Sequence, residues 1–136
     1  TYKNTWYWSR MNGVDNEGNS IGFNLGYGFG NTSAASENML FYKDKAYKLE
    51  DVEFIIPGEK EGKCEFLKEW KFISKDKSID MTFTPILDRY TNTNALVIHT
   101  LQHQVFGKFN GKIKVDGIEV EIKDQLGFAE KVFMKY

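Results

Sequence analysis

Polar and apolar residues alternate through most of this chain, the period-two pattern of half-buried β-strands. Between Ser20 and Gly30 the pattern is sharpest: Ile21, Phe23, Leu25, Tyr27 and Phe29 share one side, and the other holds only Gly22, Asn24, Gly26, Gly28 and Gly30. One face is apolar and the other nearly bare backbone. Glycine weakens a strand and marks close approach or bending, so something must lie against the bare face. A ligand, a neighbouring sheet, or a part of the same protein outside this chain would each satisfy that requirement.

Similar short segments recur between turn residues, at intervals typical of an all-β sandwich or barrel. Residues 5–11 and the glycine-rich segment flank the turn-rich stretch 12–19 and read as a hairpin. After a loop over 31–37, segments 38–42 and 46–49 flank a short turn at Lys43, Asp44 and Lys45. Val52, Phe54 and Ile56 then share a face before Pro57-Gly58 stops the strand. Residues 59–69 are charged and ambiguous, and 70–74 with 79–84 form a further hairpin around Asp76-Lys77. Residues 96–115 read as one long strand that bends at Gly107 and Gly111. Asp116-Gly117, a strong hairpin signal, joins it to Ile118, Val120 and Ile122, and residues 128–136 close the sheet. The expectation is a single all-β domain over residues 1–136, an antiparallel barrel or strongly curled sheet of about ten strands.

The 136 residues suffice for an independent core. An apolar fraction of 41% and an aromatic fraction of 15% are those of a folded protein. Eighteen basic and nineteen acidic residues are interspersed, which leaves no electrostatic footprint for nucleic acid or an anionic membrane. No apolar run is long enough for a membrane span. Cys64 is the only cysteine, so no internal disulfide and no cysteine-based zinc cluster is expected, and a free thiol suits a cytoplasmic setting. The chain opens on Thr1 rather than methionine and reads as a piece of a longer protein.

The two histidines, His99 and His103, are four apart. On a helix that spacing holds a metal, but on a strand it separates the Cα atoms by about 13 Å. No metal or other cofactor is expected. Both share a face with Val97, Leu101, Val105 and Phe109, and if that face is interior, both imidazoles lie in or near a cavity. Trp6, Trp8 and Arg10 share one face of the opening strand and could border the same space. Among the carboxylates, Glu37 and Glu130 stand apart from the turn acids; Glu130 follows a glycine and precedes the closing strand, a place where a raised pKa would serve acid-base chemistry.

The motifs Trp6-Tyr-Trp-Ser with Asn12-Gly13, Ile21-Gly-Phe-Asn-Leu-Gly26, Glu37-Asn38, Trp70 with Phe83-Thr-Pro85, Val105-Phe-Gly-Lys-Phe-Asn-Gly111 and Gly127-Phe-Ala-Glu130 run through nearly the whole chain. In that order they resemble the C-terminal portion of the bacterial domain of unknown function 2804 family. That family is distantly similar to the carotenoid-hydratase and AttH-type lipocalin-like proteins. The resemblance implies a calycin-like, lipocalin-like barrel, the second of two barrel-like halves, and it carries no established activity. The hydratase-like relatives tend to carry an acid beside a histidine near the chain end, where this chain has Glu130-Lys131.

The leading expectation is a lipocalin-like domain that holds a small apolar ligand. Its wall would include Trp8, Phe23, Tyr27, His99, His103 and Phe106, and its polar anchors Arg10, Asn24 and Gln104. Two alternatives compete with it. One is a hydratase or isomerase acting on an apolar substrate, with Glu130 and His99 or His103 as the acid-base pair. The other is a structural half whose glycine face docks an N-terminal barrel absent from this chain.

Overall fold

The structure is a computed structural model that describes residues 3–28 and 38–135. Phe29, Gly30, the predicted loop with Glu37, and Tyr136 lie outside the described residues. The strands are β1 (Lys3–Val14), β2 (Ser20–Gly28), β3 (Met39–Tyr42), β4 (Lys45–Lys48), β5 (Val52–Ile55), β6 (Trp70–Ser74), β7 (Ile79–Ala95), β8 (Ile98–Val115) and β9 (Ile118–Lys135). A short 3-10 turn at Glu59–Glu61 is the one helical element among the described residues. The ambiguous segment 59–69 is therefore neither strand nor amphipathic helix.

All nine strands belong to one antiparallel sheet in the order β4-β3-β2-β1-β9-β8-β7-β6-β5. Two meanders meet where β1 pairs with β9, Tyr7 opposite Lys131. The two edge strands, β4 and β5, are consecutive in the chain and joined only by Leu49, Glu50 and Asp51. In a flat sheet nine strands wide those edges would be about 38 Å apart at ~4.8 Å per strand, whereas the link reaches only about 14 Å. The sheet must curl on itself. Asn38 holds the seam from beneath: its buried side chain accepts a hydrogen bond from the Gly26 N–H at 2.8 Å and donates to the Glu50 carbonyl at 3.2 Å.

Alternation decides what lies inside the curl. Tyr7, Ser9 and Met11 of β1, Ile21, Phe23 and Leu25 of β2, and Val105, Phe109 and Ile113 of β8 are all buried. Phe109 is a hub, with ring centroids 5.0 Å from Phe23, 5.3 Å from Phe72 and 4.6 Å from Phe83. Trp70 packs beside it against Phe83 at 5.5 Å, and the Tyr7 and Phe54 rings meet at 5.8 Å, so β5 closes against β1. The lower half of the interior is filled by aromatic rings.

At Gly22 and Gly26 the bare glycine face is covered from within the chain. Trp8 stands opposite Gly26 and Asn12 opposite Gly22. A Cβ on Gly26 would lie 3.1 Å from the Trp8 ring, and one on Gly22 would lie 2.7 Å from the Asn12 Oδ1. The large side chains of β1 lean across the strip that the glycines leave open, as aromatic residues do over strand glycines.

Two-residue turns close the β3–β4, β7–β8 and β8–β9 hairpins. Asp116-Gly117 takes left-handed φ angles of 49° and 77°, as its sequence predicts. Lys43-Asp44 does the same at 50° and 63° without a glycine. A bulge interrupts the β7–β8 register between Pro85 and Leu87, where proline has no N–H to contribute. A second bulge, between Phe109 and Gly111, interrupts the β8–β9 register.

Candidate functional site

The convex outer face carries several residues expected to line a cavity. Trp8, Arg10 and Asn24 project there, because Tyr7, Ser9, Met11 and Phe23 occupy the inner positions of the same strands. Gln104 and Phe106 also face outward, since Val105 is the buried member of that stretch. Phe106 lies 6.3 Å from Phe128, and Gln104 donates to Glu130 Oε1 at 2.8 Å. Phe23 faces inward, but it is packed edge-on against Phe109. Tyr27 pairs with Tyr7 in the β1–β2 register; its side chain lies outside the described residues.

Glu130 and the histidines do not form a pair. His103 is opposite Lys131 in the β8–β9 register and Gln104 is opposite Glu130, so Glu130 and His103 leave the sheet on opposite sides. Burial raises the Glu130 carboxyl, and hydrogen bonds from Gln104 and Gln102 only partly offset that. A carboxyl that titrates higher in the folded state than in the unfolded one costs nothing while both are protonated. Its cost grows as pH rises past the ordinary value of 4.5 and is complete above the folded value. Glu130→Gln is therefore expected to raise Tm at about pH 7 and to leave it unchanged at about pH 3. Thermal melts at the two pH values check it, and an equal shift at both would refute the assigned cause.

His103 instead belongs to a polar row on the inner face. Tyr7 pairs with Lys131, Lys131 with His103, and His103 with Tyr90, so four neighbouring strands place these side chains side by side at the open end of the aromatic core. The irregular segment after β5 supplies the cover. Tyr7 donates to Glu59 Oε2 at 2.7 Å, and Lys131 donates to the same oxygen at 2.6 Å and to Cys64 Sγ at 3.4 Å. Burial lowers the Lys131 ammonium, but Glu59 and Cys64 outweigh it and hold the group above the usual lysine value. Burial pushes the Cys64 thiol up against the pull of Lys131. The sulfur is a packed thiol and not an activated thiolate.

His103 is fixed on both faces and at one nitrogen. Its ring stacks on Phe66 at 3.7 Å and on Tyr90 at 4.5 Å, and Nδ1 lies 2.8 Å from Asp88 Oδ2. The other carboxylate oxygen, Oδ1, is buried without a partner. A carboxylate at Nδ1 selects the tautomer that carries its proton there, which leaves Nε2 as an acceptor in the neutral ring. Beyond this row the inner face stays open: Leu101 pairs with Phe133, both half-buried, and His99 sits higher with Nε2 at 2.9 Å from Asn92 Oδ1. Among the described residues no three His, Cys, Asp or Glu side chains converge as a metal site.

Sequence reading found His103 but missed Tyr7, Glu59, Cys64, Asp88 and Lys131. The β7–β8 hairpin brings Asp88 to His103, and only the β1–β9 pairing and the fold-back of the covering segment unite the others. One local signal existed, in that Lys131 is a charge on the inner-face phase of β9 beside the buried Ala129.

A curled antiparallel sheet over an aromatic core, with a polar row at its open end, is the architecture of a lipocalin-like β domain. The family described as a domain of unknown function, DUF2804, matches residues 1–136, and the chain belongs to it. No curated protein and no solved structure matches the chain. No helix among the described residues is long and apolar enough to cross a membrane.

Proposed function

We propose that this domain binds a small, mainly apolar molecule with a polar end at the open end of the curled sheet. The observation that carries this reading is the clamped His103. Phe66, Tyr90 and Asp88 fix its ring and aim Nε2 away from the carboxylate. Tyr90, Leu101 and Phe133 offer apolar surface beside it, and ligand sites combine such surface with a few oriented polar groups. The apolar body of the ligand lies along Leu101 and Phe133, and its polar end donates to His103. A catalytic version of this reading uses Asp88 and His103 as the base, in place of Glu130.

Titration of the full-length protein with the fluorophore 2-naphthol, an apolar molecule whose hydroxyl can donate to His103, tests the reading. Saturable binding is expected, and His103→Phe, which keeps a stacked ring but removes both nitrogens, is expected to weaken it about fivefold to tenfold through one lost hydrogen bond. Absence of saturation, or unchanged affinity in a variant that melts normally, would overturn the proposal.

A further inference from the structure

The β7–β8 turn lies at the far end of the long arm built from β7, β8 and β9. Ala95 pairs with Ile98, leaving Leu96 and Val97 as a two-residue turn. Leu96 is 107% exposed and Val97 81%, and Ile98 is also exposed. Leu96 takes φ +53°, a left-handed backbone that glycine or asparagine adopts far more readily than a branched side chain. A strained, fully exposed apolar residue contributes nothing to the core.

The surroundings of this tip are graded. Thr91, Asn92, Thr93 and Asn94 form an uncharged polar shank below it. One row crosses the arm through Asn94, His99, Lys135 and Lys3, about 7 Å from the turn at ~3.3 Å per residue. Above the row of Arg89, Gln104 and Glu130, the described residues of β1, β7, β8 and β9 include Lys3, Lys131 and Lys135 and no carboxylate. Lys131 is occupied by Glu59, which leaves Lys3 and Lys135 as the lysines near the tip. Glu59, the carboxylate that reaches this part of the arm from the covering segment, is taken up by Lys131 and Tyr7.

We propose that this tip docks on a lipid surface with anionic headgroups. Leu96 and Val97 enter the interface, and Lys3 and Lys135 meet the headgroups. An apolar point behind uncharged polar residues and a basic row fits that partner, since insertion scales with buried apolar area and basic residues near the surface are drawn to anionic lipid.

Co-sedimentation of the full-length protein with phosphatidylserine-containing vesicles, and with pure phosphatidylcholine vesicles, tests the inference. Binding to the anionic vesicles that weakens with salt is expected, and the double variant L96D/V97D is expected to lose it by roughly tenfold or more. Leu96→Asn separates the tip's role from folding: it relaxes the left-handed backbone, so Tm is expected to hold or rise while vesicle binding falls. No sedimentation at low salt would overturn the proposal. So would equal binding to neutral vesicles, undiminished binding by L96D/V97D, or a self-association abolished by those substitutions in place of vesicle binding.

Discussion

Phe109→Ala is expected to destabilise the domain by about 3–5 kcal/mol, the usual cost of removing a ring from a packed interior. Phe109 is fully buried and touches rings from β2, β6 and β7, so its loss leaves Phe23, Phe72 and Phe83 facing a void. Collapse is limited because those rings are held by different strands of a curled sheet. Against a total stability of about 5–15 kcal/mol, the variant is expected to populate unfolded chains at moderate temperature. Urea denaturation checks it through a lower midpoint at unchanged slope, and Phe109→Leu, which keeps most of the volume, is expected to lose less. A loss below ~1 kcal/mol for the alanine variant would mean that the rings are not packed as described.

Gly111→Ala is expected to cost at least about 2 kcal/mol, since backbone strain and collision act together. Gly111 takes φ +142°, and a Cβ there would lie 2.2 Å from the Asp80 carbonyl oxygen and 2.6 Å from the Met81 Cα. Both obstacles are backbone of β7, which cannot rotate aside like a side chain. The residue also sits at the β8–β9 bulge, where the register skips between Phe109 and Gly111. Gly117 is the control: its φ of +77° is left-handed too, but nothing lies within 4 Å of its Cβ position. Gly117→Asn is therefore expected to be tolerated, because asparagine accepts that backbone. Equal losses in the two variants, measured by the same denaturation, would remove close approach as the reason for Gly111.

Much of the strand pattern was legible because alternation is a local property. Val52, Phe54 and Ile56 share one buried face and Val105 and Phe109 another, as their spacing predicted, and Asp116-Gly117 makes the turn that its residue types demand. Strand extents were less readable. Residues 118–122 and 128–135 belong to one strand, β9, and β7 continues past Pro85 to Ala95 because a bulge absorbs the proline. Leu96 and Val97, apolar and apparently the start of a strand, form its turn instead.

The site was harder to read. For β1, alternation leaves two choices, and Trp6, Trp8 and Arg10 made the more conspicuous set. The cross-strand glycines of β2 reverse that choice, since Trp8 fills the surface strip above Gly26 while the smaller Ser9 and Met11 go inside.

Sequence by itself determined the all-β character of the chain, the alternation of most strands, the sharpest turns and the single face shared by His99 and His103. These depend on neighbours a few residues apart, where backbone geometry and side-chain period act directly. Tertiary structure alone decided which face of β1 is interior, that Trp8 covers Gly26, and that Tyr7, Glu59, Cys64, Asp88, His103 and Lys131 form one cluster. The first two depend on the pairing of β1 with β2, and the cluster depends on the registers of β7 with β8, β8 with β9 and β1 with β9, the last more than a hundred residues apart in the chain. A one-residue slip in such a register turns every side chain to the other face, and only the packing of the whole sheet selects among the alternatives.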